Sequence, residues 1–266
     1  MTAAPISLAP RGRYRFKHVA AMEWIKLRTL RSTWWTLAIT VAGAIAMAIV
    51  IGLNTKNGAG DLTNNALAGV IPGLLLTGVL GVMIMTSEYT SGLIRATLAA
   101  VPNRPLVLAA KAAVFGGVTL VLGEAATLIA FLAGGAALRH GIPAPTLAQP
   151  GVLRAVVMSG ASFSLIGLLG LGLGAIVRHT AAAIGVLVGG VWILAQLIGA
   201  LAPGAFAYLP ISIIANSLST TKPVTCGGDA AGCPHLLSAW TGLGVLCLYA
   251  AVVLAVGGWL LSRRDA

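Results

Sequence analysis

Only six acidic side chains occur in 266 residues, so any acid that falls inside an apolar run is a candidate for chemistry. Glu124 is the one acid well inside such a run, roughly 19 Å along it at 1.5 Å per helical residue. A carboxylate at that depth is costly and by default marks a functional site. Two readings stand side by side: a structural hydrogen bond to Ser, Thr or Gln of a neighbouring helix, or a place on a transport route for a polar or cationic substrate. Gln196 carries the same pair of readings. With one intramembrane acid there are no paired carboxylates for metal or aspartyl catalysis. The segment Gly160-Ala161-Ser162-Phe163 lacks the closing glycine of the nucleophile turns, and no His lies at membrane depth to act as base. No G-x-x-x-x-G-K-[ST] phosphate loop occurs, so the chain cannot cradle ATP phosphates by that route. An enzyme is therefore not expected. Cys226 and Cys233 lie in a segment predicted to face outward, where the compartment permits a disulfide, and we expect a bridge between them. His235 beside them makes a third ligand, but that spacing matches no zinc signature, so no metal is expected. Cys247 reads as a small apolar residue.

The elements that must hold these residues follow from composition. Hydrophobic residues make up 58% of the chain and charged residues 9%, too little polar surface for a water-soluble globule of this size. Apolar runs near 34–53, 67–86, 112–138, 153–177, 181–201 and 238–261 are each long enough to cross a bilayer. They lack the alternation of barrel strands, so the expected fold is an all-α integral membrane protein of six transmembrane helices. Thirteen of the 17 Lys and Arg, from Arg11 through Arg31, Arg95, Arg104, Lys111 and Arg178 to Arg264, fall on one side. That bias places both termini in the cytoplasm. The net charge of +11 is then accounted for by topology and anionic lipid, and nucleic acid is not expected as a partner. Small-residue pairs such as Gly69 with Gly73, Gly170 with Gly174 and Gly185 with Gly189 permit close helix contact.

Before the first span, residues 16–34 place Phe16, Val19, Ala20, Trp24, Leu27, Leu30 and Trp34 on one helical stripe flanked by Lys26, Arg28 and Arg31. This is the pattern of an interfacial amphipathic helix. Glu23 interrupts the stripe: it calls for a protein partner, a helical pair with Lys26, or a snorkelling carboxylate. Between the second and third spans, Leu93, Ile94, Thr97, Leu98 and Val101 fall at helical spacing, Thr90 or Ser91 can cap the start, and Pro102 ends the run. A short helix beneath the membrane offers a rigid knob to a soluble partner; an interfacial helix without a partner fits the same pattern.

Two segments together resemble the membrane subunit of type-2 ABC exporters. The first runs Glu23-Trp24-Ile25-Lys26-Leu27-Arg28-Thr29-Leu30-Arg31. The second runs Glu88-Tyr89-Thr90-Ser91-Gly92-Leu93-Ile94-Arg95-Ala96-Thr97-Leu98, followed by Pro102-Asn103-Arg104-Pro105 and Lys111. The resemblance implies one permease domain over 1–266 in a bacterial plasma membrane. Residues 1–33 would form a tail and connecting helix with Glu23, Lys26, Arg28 and Arg31, and 34–261 the six spans. Residues 87–110 would form the ATPase-coupling segment with Glu88, Tyr89, Gly92, Leu93, Arg95 and Leu98, and 202–237 an extracytoplasmic segment. It further implies a second permease, a copy or a homologue, and separate cytoplasmic ATPase subunits that bind the ATP and Mg. Glu88 and Arg95 would fix the coupling helix to the ATPase or to the connecting helix. The cargo would be amphipathic or lipid-like. A proton-coupled carrier using Glu124 is the alternative.

Overall fold

Long apolar runs leave the backbone no partner but itself, and helices result. In a computed structural model of the protein, residues 15–55, 61–139, 142–220 and 236–263 are described, and every regular element among them is helical. Five helical segments are long and apolar enough to cross a membrane: α2 (Arg31–Asn54), α3 with α4 (Leu62–Leu67, Val70–Thr90), α6 (Arg104–Ala136), α7 (Val152–Val177) and α12 (Ala239–Arg263). Ahead of them lies α1 (Phe16–Thr29), and between α4 and α6 the short α5 (Leu93–Ala100).

The expected fifth span differs. Residues 180–201 are helical throughout, but α8 (Thr180–Val188) and α9 (Leu194–Leu201) are joined by a π turn, Gly189–Ile193. Two adjacent glycines weaken the α-helical preference where the ladder slips. Beyond it come α10 (Pro203–Phe206) and α11 (Pro210–Leu218), each opening on a proline at its first position.

Helix α7 is central, with 67% of its most apolar stretch buried against 28% for α2 and 22% for α12. It touches α4, α6 and α12. Its approach to α4 is set by glycine: a Cβ on Gly81 or Gly170 would overlap the carbonyls of Gly167 and Gly78, so the backbones meet directly. Gly174 joins this contact as its spacing from Gly170 suggested, whereas Gly185 and Gly189 face open space.

Three further boundaries depart from expectation. The stripe over 16–34 is broken at Leu30, whose backbone is extended (φ −79°, ψ 97°), so Arg31 and Trp34 open α2. Its apolar residues also split. Val19 and Leu27 turn inward with Glu23, while Phe16, Trp24, Leu30 and Trp34 stay exposed. Helix α4 runs on through Glu88 and Tyr89 to Thr90, where no proline or glycine stops it until Gly92. Helix α6 starts at Arg104, because Asn103 caps it through Leu106 N (3.2 Å) and Pro105 sits in its first turn. Lys111 is therefore inside a helix and buried, and the break expected over 87–110 shortens to 91–103.

Candidate functional site

Helices α1, α4, α5 and α6 converge at one end of the bundle on four charged side chains. Glu23 follows Val19 and precedes Leu27 at helical spacing, so the inward face of α1 carries a carboxylate at its centre. Glu88 comes from the last turn of α4 and Lys111 from the second turn of α6. Lys111 Nζ donates to Glu23 Oε2 (2.5 Å) and Glu88 Oε1 (2.8 Å). Lys26 Nζ donates to Glu23 Oε1 (3.0 Å), Glu88 Oε1 (2.9 Å) and Thr97 Oγ1 of α5 (3.1 Å). Two carboxylates and two ammoniums thus close an electroneutral lock.

Glu23, Glu88 and Lys111 are 3%, 5% and 4% exposed. Ions so far from water persist only when paired and hydrogen-bonded. Lys26 is the outer member, its side chain 30% exposed. Burial alone would lower its pKa, but the hydrogen bond and charge of Glu88 with the charge of Glu23 outweigh it and hold the ammonium above the ordinary lysine range. Glu88 Oε2 is buried and accepts no hydrogen bond among the described residues.

Of the readings offered for Glu23, the helical pair with Lys26 is present, and Lys111 of this chain's own α6 adds a second ammonium. Glu88 does reach the helix before the first span, through Lys26. Arg95 does not join it and is exposed, as are Arg28 and Arg31. On α5, Ile94 and Thr97 are buried and Leu98 is half-buried against the apolar ends of α1 and α6, leaving Leu93 (55% exposed), Arg95 and Ala96 outward. Gly92 makes the turn from α4 to α5 in the left-handed region (φ +71°), a conformation costly for other residues. Tyr89 is half-buried, with the guanidinium carbon of Arg178 5.3 Å from its ring centre, a cation–π distance. Arg178 itself ends α7 in the left-handed region (φ 60°).

Glu124 lies on α6, far along from Lys111, half-buried with its carboxyl against Gly160 of α7. No hydrogen bond or ion pair reaches it among the described residues. Gln196 falls in α9, and its side chain lies outside the described residues, as do Cys226, Cys233 and His235 entirely. Cys247 is exposed on α12 and unbridged.

Sequence reasoning missed Lys111, Thr97 and Asp61 as members of polar sites. Lys111 is the only charge between Leu106 and Gly123, a mark of a helix interior that the capping pair Asn103 and Pro105 reinforces. Asp61 stands six residues before the apolar run that opens at Leu67, and Asp is a favoured helix N-cap. It accepts from Thr63 N (3.0 Å), Asn64 N (3.1 Å) and Thr220 Oγ1 (3.0 Å). A scan against models of protein families and a search of curated proteins both return no match to this chain.

Proposed function

We propose that this chain is the membrane subunit of a type-2 ATP-binding cassette exporter, with six spans once residues 180–201 are counted, and both termini cytoplasmic. It pairs with a second permease and with separate cytoplasmic ATPases that carry ATP and Mg, and it moves an amphipathic or lipid-like substrate across a bacterial plasma membrane. The observation that carries this reading is the construction of α5. Its inner face is bolted to α1, α4 and α6 through Thr97, Ile94 and the lock, and its outer face offers Leu93, Arg95 and Ala96. A push on that face is transmitted to three helices at once, two of them spans. An apolar groove between α1 and α6, lined by Phe16, Trp24, Trp34, Val118 and Val121, suits lipid.

The test is affinity purification of the tagged chain from its native membrane with an ATPase assay. Leu93→Asp changes an exposed residue, so it is expected to remove a co-purifying ATPase while the permease stays folded. A well-expressed chain with no ATPase partner would sink the proposal. A second reading, a proton-coupled carrier, draws on Glu124, which has no partner among the described residues. Under it, Glu124→Gln abolishes gradient-driven transport that needs no ATPase.

A further inference from the structure

Beside the lock lies a cavity of about 440 Å³, within the range of roughly 300–1,000 Å³ typical of small-molecule sites. Leu27, Leu30, Ile84, Val114 and Phe115 form apolar walls, and Glu88 lies at its polar side. Three of the four charged groups there are more than nine-tenths buried, and Glu88 keeps one carboxylate oxygen without a donor among the described residues. Both lysines crowd onto Glu88 Oε1, and no described residue donates to Oε2.

We propose that this cavity binds an amphiphile with a primary ammonium head and a single apolar chain, the head taking the place of Lys26 on Glu88 and the chain lying along Leu27, Ile84 and Phe115. The exchange conserves charge. Lys26 is the one member of the lock near the surface and swings outward into solvent, so the buried carboxylates never lose their second cation. The incoming ammonium gains a choice of both Glu88 oxygens, with the strength of a charge-assisted bond. An anionic head cannot take the place of Lys26, because once that lysine has swung out Glu23 and Glu88 outweigh the single charge of Lys111. Occupancy also frees Thr97 from Lys26, which loosens α5 from α1. Binding at this cavity does not depend on whether an ATPase docks below it.

The test measures binding of radiolabelled octylammonium to the full-length chain in nanodiscs, above the uptake of protein-free nanodiscs of the same lipid. Wild type is expected to bind one octylammonium per chain, saturably, and to bind octanoate at least about tenfold more weakly. Lys26→Met removes the competing ammonium and is expected to tighten octylammonium binding about tenfold, whereas Glu88→Gln weakens it about tenfold. Ser87→Phe, at the cavity edge and outside the lock, is expected to abolish it. Competition from phosphatidylethanolamine in the discs would identify a lipid headgroup as the source of the ammonium, and its absence a free amphiphile; either outcome supports the site once saturable binding is seen. Uptake equal to that of empty discs, equal binding of octanoate, or a Lys26→Met chain that binds no better than wild type would overturn the proposal. The wild-type comparison of the two probes decides the matter even if a variant fails to fold.

Discussion

The acids at the two ends of the bundle are both buried but are held differently. Glu23 and Glu88 are neutralised by Lys26 of α1 and Lys111 of α6, while Asp61 accepts from N–H and hydroxyl groups, two of the N–H groups at the start of the helix it caps. This cap fixes the start of α3 and ties it to Thr220. A lock between four helices joins separate elements through side chains, and its outer lysine can leave the inner three only where another cation takes its place. The end bearing α5 is therefore built to be both rigid and releasable, and the Asp61 end only to be rigid.

Removing the inner lysine should break the comparison most severely. Lys111→Met leaves two buried carboxylates sharing the half-exposed Lys26, and uncompensated buried charge costs about 3–5 kcal/mol. A fall in thermal unfolding temperature in detergent, far larger than that of Lys26→Met, is the expected result; equal effects would mean that the lock is as solvated inside as outside.

An isosteric amide separates the two ends next. Glu23→Gln keeps the shape but removes the charge that both lysines face, so a loss of about 2–3 kcal/mol is expected, as for hydrogen bonds to charged groups. Asp61→Asn keeps the oxygen that caps but sets its amide against Thr220 N, which donates to the other carboxylate oxygen, so a loss of about 1 kcal/mol is expected, while Asp61→Ala costs about 1–2 kcal/mol. Chemical unfolding monitored by tryptophan fluorescence would rank the three; an Asp61→Asn as damaging as Glu23→Gln would erase the distinction between cap and lock.

The sequence made some of this legible and hid the rest for a physical reason. Periodicity reports which residues share a face, and it located the apolar runs, the short helix at Leu93–Ala100 and the misfit of Glu23 on its stripe. It reports nothing of what that face meets. Glu23 and Lys111 are 88 positions apart and Lys26 and Glu88 are 62 apart, so the lock exists only once α1 has folded back along α6. Lys111 read as a loop residue because charge normally marks the end of a span, and pairing removed that penalty. The π turn at Gly189–Ile193 was equally silent, since an apolar composition is the same whether the ladder slips or not.

Glu124 completes the comparison as the acid held by neither device. Its carboxyl rests against Gly160 without a hydrogen bond or ion pair among the described residues, so nothing in the native state is lost when its charge goes. Glu124→Gln is therefore expected to leave unfolding within about 0.5 kcal/mol of wild type, the range of substitutions that break no specific interaction. The same substitution in Glu23 or Glu88 should be several times more costly. A carboxylate whose loss costs no stability is what the transport-route reading of Glu124 expects. If Glu124→Gln instead destabilises the chain as much as Glu23→Gln does, the carboxylate carries a structural bond and its place on a transport route falls away.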